Sequence, residues 1–166
     1  SWDLLTPGEQ AALAQCAVFE GGFTLEAAEA VLDVSAWRHA PLPIDAVQAL
    51  LDKSLLRTWV PADQGHHDIQ EPYFRMYVSI REYAAEKLKA SGPAVEQAAE
   101  ERHGRYFARF GADEALEALS RDGGVRRRRA LALDLDNLVA ACRRVVGEPA
   151  PVGQFDVIEL CEIQAG

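Results

Sequence analysis

His66-His67-Asp68, with His39 upstream, is where imidazoles and a carboxylate crowd together in this chain. Such a set can hold a metal ion. Successive side chains of an extended segment alternate sides, however, so His66 and His67 do not face one ion on a strand. No cysteine lies near them. A polar loop tip is the plainer reading, and no metal is expected. Arg126-Arg127-Arg128-Arg129 is the single basic run. It reads either as a contact for phosphate or nucleic acid, or as a solvated helix start whose charges meet acidic neighbours such as Asp122 and Glu117. Four consecutive helical residues point all round the axis, so the run does not make one flat patch. Trp37 and Trp59 can stack on a ligand or pack beside a helix and a hairpin.

Catalytic arrangements are not visible. No serine or cysteine sits in a glycine elbow with a His partner in order. Glu100-Glu101 are adjacent on a helix and face different ways. The phosphate loop G-x-x-x-x-G-K-[ST] does not occur. Gly21-Gly22 and Gly123-Gly124 lack the Lys-Ser or Lys-Thr that would follow. The chain is therefore expected neither to bind nor to hydrolyse ATP by itself, and no cofactor is expected.

The elements that must position these residues read as mostly helical. Thr6-Pro7-Gly8-Glu9 is a helix start with a capping box, and Gly21-Gly22 stops that helix. Thr24 starts a second, carrying Ala27, Ala28, Val31 and Leu32. A third spans about 44–53, with Ile44, Val47, Leu50 and Leu51 on one stripe. Residues 55–60 and 73–78 read as two strands of a hairpin around a long polar loop, 61–72. Ser79-Ile80-Arg81-Glu82 is a second capping box, opening a helix that buries Ile80, Tyr83, Ala84 and Leu88. Beyond Ser91-Gly92-Pro93 come a broad helix at 94–110 (Val95, Ala99, His103, Tyr106, Phe110), a short one with Leu116 and Leu119, and a long one at 125–146 (Leu131, Leu135, Leu138, Cys142). A further helix is expected at 154–163. The order describes a winged helix over 1–92, then antiparallel helices of repeat type over 93–166, which must lean on the first domain or on further repeats.

The 166 residues carry 49% hydrophobic and 26% charged residues, which excludes disorder for the bulk of the chain. No apolar run is long enough to span a bilayer, and no signal peptide is visible. The net charge is −9, with −6 over 1–90 (13 acids, 7 bases) and −3 over 91–166 (13 acids, 10 bases). Neither half suits a polyanion partner. Cys16, Cys142 and Cys161 are isolated among apolar residues, so a disulfide framework is not expected and a reducing cytoplasm is. Opening at Ser1 without Met, the chain reads as a piece of a longer protein.

Three stretches together resemble a known family: residues 1–28, with Leu4-Leu5-Thr6-Pro7 and Val18-Phe19-Glu20-Gly21-Gly22-Phe23; Leu50-Leu51-Asp52-Lys53-Ser54-Leu55-Leu56; and Phe74-Arg75-Met76-Tyr77-Val78-Ser79-Ile80-Arg81-Glu82-Tyr83-Ala84. They are similar to the region just after the nucleotide-binding domain in bacterial signal-transduction ATPases with numerous domains. These proteins relate to plant disease-resistance proteins and apoptotic activators, and often regulate transcription. Arg102-His103, Tyr106-Phe107 and Leu135-Asp136-Asn137-Leu138 resemble the start of the same family's helical repeats. The resemblance implies a winged helix that docks on an upstream ATP-binding domain and moves with its nucleotide, with further repeats downstream and a protein partner. Relatives carry Met-His-Asp at the start of the last winged-helix helix, where the His contacts the β-phosphate of ADP. Met76-Tyr77-Val78 stands there in this chain. Met76 matches, whereas Tyr77 offers only a hydroxyl. The resemblance thus points to Met76, Tyr77 and Arg81 as nucleotide-facing.

Two other readings stay open. A DNA-binding winged helix needs bases and polar readers on its third helix. Residues 44–53 offer Asp45, Gln48, Asp52 and only Lys53 as a base. A protein-binding scaffold without an ATPase is the other.

Overall fold

A computed structural model describes residues 2–36, 41–64 and 67–147 and gives a mainly helical chain. Trp37, His39, His66 and the element expected at 154–163 lie outside the described residues. Helix α1, Pro7–Gln15, starts with the expected capping box. The Glu9 amide donates to Thr6 Oγ1 at 3.3 Å, and the Thr6 amide donates to Glu9 Oε2 at 2.7 Å. A 3-10 turn, Cys16–Val18, follows. Gly21 then turns the chain at φ +79°. Next come β1, Gly22–Phe23, and α2, Leu25–Val31, capped by Thr24. Helix α3 is Pro43–Asp52. Strands β2, Arg57–Trp59, and β3, Tyr73–Arg75, flank the long loop, which folds into a 3-10 turn at Pro61–Gln64. Helix α4 is Val78–Ala90, α5 is Pro93–Ala108, α6 is Asp113–Ala118, α7 is Gly124–Leu133 and α8 is Leu135–Gly147.

The strands form an antiparallel sheet in the order β1-β3-β2. The register places Phe23, Phe74 and Thr58 abreast, then Gly22, Arg75 and Arg57, with Trp59 opposite Tyr73. Because side chains alternate across a strand, Phe23 and Phe74 share one face. Arg57, Arg75, Trp59 and Tyr73 share the other. Phe19 stacks on Phe23 with ring centroids 4.2 Å apart, and Phe107 of α5 meets Phe19 edge-on at 6.5 Å. Leu13, Val47, Leu50, Ala84 and Leu88 complete this core, which continues without a break into Leu138, Ala141 and Cys142 of α8. Helix α5 packs on α2 as well as on α8. The later helices therefore rest on the first ninety residues through apolar surface, each fully buried Phe contributing about 1.5–3 kcal/mol.

Six expectations need correction. Strand β1 replaces a plain helix stop. At two residues it is too short to show alternation. The two expected strands are shorter than read. Helix α4 starts at Val78 with Tyr77 at the cap and no side-chain cap, not at a Ser79 capping box. The helix read as continuous over 125–146 breaks at Asp134, whose φ and ψ of −94° and 4° end α7. The break lets α7 lie toward the 61–72 loop while α8 lies along α5. It also turns Leu135 outward and buries Asp134 against Tyr73. Finally, Tyr83 is not core. It remains 40% exposed, edge-on to Trp2 at 5.8 Å. On α5, Val95 of the expected inward stripe is exposed, and Phe107, outside that stripe, is fully buried.

Candidate functional site at the start of helix α4

Strand β3 ends at Arg75 and the chain enters α4 two residues later, so this short connection fixes what α4 presents. Met76 points inward, 7% exposed, among the core residues. It does not face a nucleotide or any other solvent-borne ligand. Tyr77 and Val78 point outward, 51% and 68% exposed. Without a side-chain cap, the first amides of α4 keep their donors free and carry the partial positive charge of a helix start. Arg81 Nη1, in the first turn of α4, is held by Glu20 Oε2 at 2.6 Å. Of the three residues expected to face nucleotide, Tyr77 is exposed, Arg81 is partly exposed in an ion pair and Met76 is packed inside.

Two cations that sequence reasoning passed over join that surface. Arg57 and Arg75 are directly opposite on β2 and β3. Like charges so placed repel, and their side chains lean apart. The Arg57 guanidinium lies over the Tyr77 ring, 4.8 Å from its centroid, and that of Arg75 over Trp59 at 5.5 Å. Neither has a carboxylate in salt-bridge reach among the described residues. Arg75 Nε and Trp59 Nε1 are buried without a hydrogen-bond partner there. Gly22 borders them on the sheet, where a Cβ would come within 3.3 Å of the Tyr73 ring. Period-two spacing of Arg57 with Trp59, and of Tyr73 with Arg75, was the available signal. It went unused because the strands were read for their hydrophobic content.

This surface offers guanidinium, phenol and exposed apolar groups, and no nucleophile paired with a base. Since the Arg57 and Arg75 side chains diverge, they do not converge on a single anion. A broad protein face carrying carboxylates beside apolar side chains matches their spread. Aromatic residues and Arg are the types enriched where proteins meet.

The remaining candidates take structural places. Arg127 Nη1 donates to the carbonyls of Ala118 (3.0 Å) and Asp122 (2.8 Å), and Arg128 Nη2 to that of Leu119 (2.7 Å). Together they satisfy carbonyls at and beyond the end of α6. Arg129 pairs with Asp68 at 3.0 Å, tying α7 to the long loop. Arg126 is exposed, and Glu117 pairs with Arg121 instead of the run. Among the described residues no group of three or more His, Cys, Asp or Glu gathers to hold a metal. Lys53, the base on which a DNA-reading α3 would depend, is held by both carboxylate oxygens of Glu9 at 2.6 Å. Among the described residues no helix is long and apolar enough to cross a membrane. Comparison with known proteins found no matching family model, no matching curated protein and no matching solved structure.

Proposed function

We propose that this chain is a non-catalytic regulatory module of a multidomain signal-transduction ATPase. In this reading residues 1–92 form a winged helix, and the helices that follow begin a repeat-like array. The winged helix docks on an upstream nucleotide-binding domain through the start of α4. The observation that carries the proposal is the element order α1-β1-α2-α3-β2-β3-α4 with sheet order β1-β3-β2, joined to an exposed, cationic first turn on α4. Such a face is suited to a protein partner, because Tyr77 and Val78 give it buriable area and Arg57 and Arg81 give it directional charge.

The DNA-binding alternative loses ground on Lys53, since Glu9 pairs with this base at the C-terminal cap of α3, and α3 itself carries none. The test is co-purification. The segment encoded upstream of Ser1 is expressed with this chain, tagged, and the complex is captured. The proposal expects a stoichiometric complex with the wild type and its loss with the pair Tyr77→Asp and Val78→Asp. An upstream segment without a phosphate-binding loop, or capture that the double variant leaves unchanged, overturns it.

A further inference from the structure

Behind α4 runs a strap of backbone, residues 18–22, between the 3-10 turn and β1. Helix α8 holds three of its backbone groups. Arg144 Nη2 donates to the Val18 carbonyl at 2.9 Å. The Glu20 amide donates to Asn137 Oδ1 at 2.8 Å, and Asn137 Nδ2 donates to the Gly22 carbonyl at 2.7 Å. The Asn137 amide thus bridges Glu20 N–H and Gly22 C=O, on either side of the turn at Gly21. Asn137 is fully buried and is aimed by a second shell of contacts. Arg144 Nη1 donates to His103 Nδ1 at 3.0 Å, which leaves His103 Nε2 as the donor to Asn137 Oδ1 at 3.3 Å. Arg144 Nε is in turn paired with Glu100 at 3.0 Å. The strap is also crowded by α8, since a Cβ on Gly21 would sit 2.9 Å from Asp136 Oδ2.

The same Glu20 whose amide is held by α8 holds Arg81 through its carboxylate. One residue thus touches the buried anchor on one side and the exposed α4 face on the other. We propose that Glu20 is a mechanical link through which the seating of α8 sets whether Arg81 is held or released. The two ends differ in strength. Unmaking the Asn137 contacts orphans buried donors and acceptors, which is costly, whereas a half-exposed ion pair is easily exchanged. Arg81 is therefore the output of the link. By reciprocity, a partner that takes Arg81 loosens α8 by the same free energy. The break at Asp134 lets α8 shift as a rigid element without dragging α7. The regulatory meaning of the link rests on the docking role proposed above, whereas its existence does not.

The test uses phenylglyoxal, which modifies arginines, with the rate at Arg81 read by peptide mass spectrometry. No nucleotide or partner is present, so failure of the docking reading leaves the result standing. Glu20→Gln supplies the released reference. Arg57, which has no carboxylate partner among the described residues, is the internal standard. Asn137→Ala is expected to raise the Arg81 rate about two- to five-fold, the factor such an exposed pair is worth, matching Glu20→Gln. Combining the two is expected to give no further increase. Gln15→Ala removes another buried amide, one that bridges to the Asp33 backbone, and is expected to leave Arg81 unchanged. Should Asn137→Ala fail to fold by circular dichroism, Arg144→Gln removes the Val18 hold and is expected to act in the same direction. A wild-type Arg81 rate in the folded anchor variant, or an equal rise in Gln15→Ala, overturns the link.

Discussion

Met76 and Tyr77 are neighbours in the chain and end in opposite surroundings, because the extended backbone leaving β3 sends successive side chains to opposite sides. That alternation decides which residues of the motif can touch a partner. It admits Tyr77 and excludes Met76. The same reasoning separates Tyr83 from Phe107. Tyr83 keeps one edge-on contact with Trp2, so Tyr83→Ala is expected to cost about 1 kcal/mol. Phe107 is fully enclosed by Phe19, His103, Tyr106 and Phe110. Phe107→Ala is therefore expected to cost about 3–5 kcal/mol. Urea unfolding measures both, and a reversed order would contradict the packing. At this scale the sequence was readable where a cap has a short local signature, as at Thr6 and Glu9. It was silent on long-range partners. Nothing near Glu20 in the chain announces Asn137, and nothing near Lys53 announces Glu9.

Among the elements, the α7–α8 break carries a titratable group that regular helical spacing concealed. Helical spacing of Leu131, Leu135 and Leu138 continues through 134, so the pattern does not reveal a break made by tertiary packing. Burial, with the charge of Glu71, pushes the Asp134 carboxyl up to about 7; Arg109 and Tyr73 oppose that weakly. Burial, with the charge of Arg144, pushes His103 down to about 3, against the hydrogen bond that it donates to Asn137. The folded state holds the Asp134 proton more tightly than the unfolded chain, so that contribution is full in acid and is lost as pH rises to about 7. The folded state holds the His103 proton less tightly, so that contribution is full above about pH 6.5 and is lost as pH falls toward 3. Between about pH 4 and 6.5 the two oppose each other. Asp134→Asn is expected to make stability rise more steeply with pH across that window. His103→Gln is expected to make it rise less steeply or fall. Urea midpoints at several pH values measure this, and unchanged slopes in both variants would contradict the burial of these groups.

Helix α3 and the long loop make a second prediction at the element scale. With Lys53 bound to Glu9 and no Lys or Arg between Pro61 and Pro72, neither α3 nor the long loop offers a free base for phosphate contacts. Fluorescence anisotropy with a labelled random duplex is expected to show no binding near physiological salt. Tight binding with a steep salt dependence, abolished by Lys53→Ala, would contradict that expectation.

At the scale of the whole molecule, a single apolar core runs from α1 to α8, and the polar contacts of Asn137, His103 and Arg144 lie within the same seam. The mainly helical class was legible from hydrophobic spacing and from Gly and Pro breaks, whereas β1 and the division of α7 from α8 were not. Nor was the seam, because its contacts join residues 34 to 126 positions apart. Under the proposed docking role the seam is the path along which a state would be relayed, since such a module must move as a unit or along defined contacts. The most direct measurement is calorimetric titration of this chain into the separately produced upstream segment, loaded with ADP or with a non-hydrolysable ATP analogue. The account predicts binding whose affinity differs between the two nucleotides by about five-fold or more, the span of ordinary allosteric coupling, and which Val78→Asp weakens in both. No binding, or equal affinity in the two states, would contradict it.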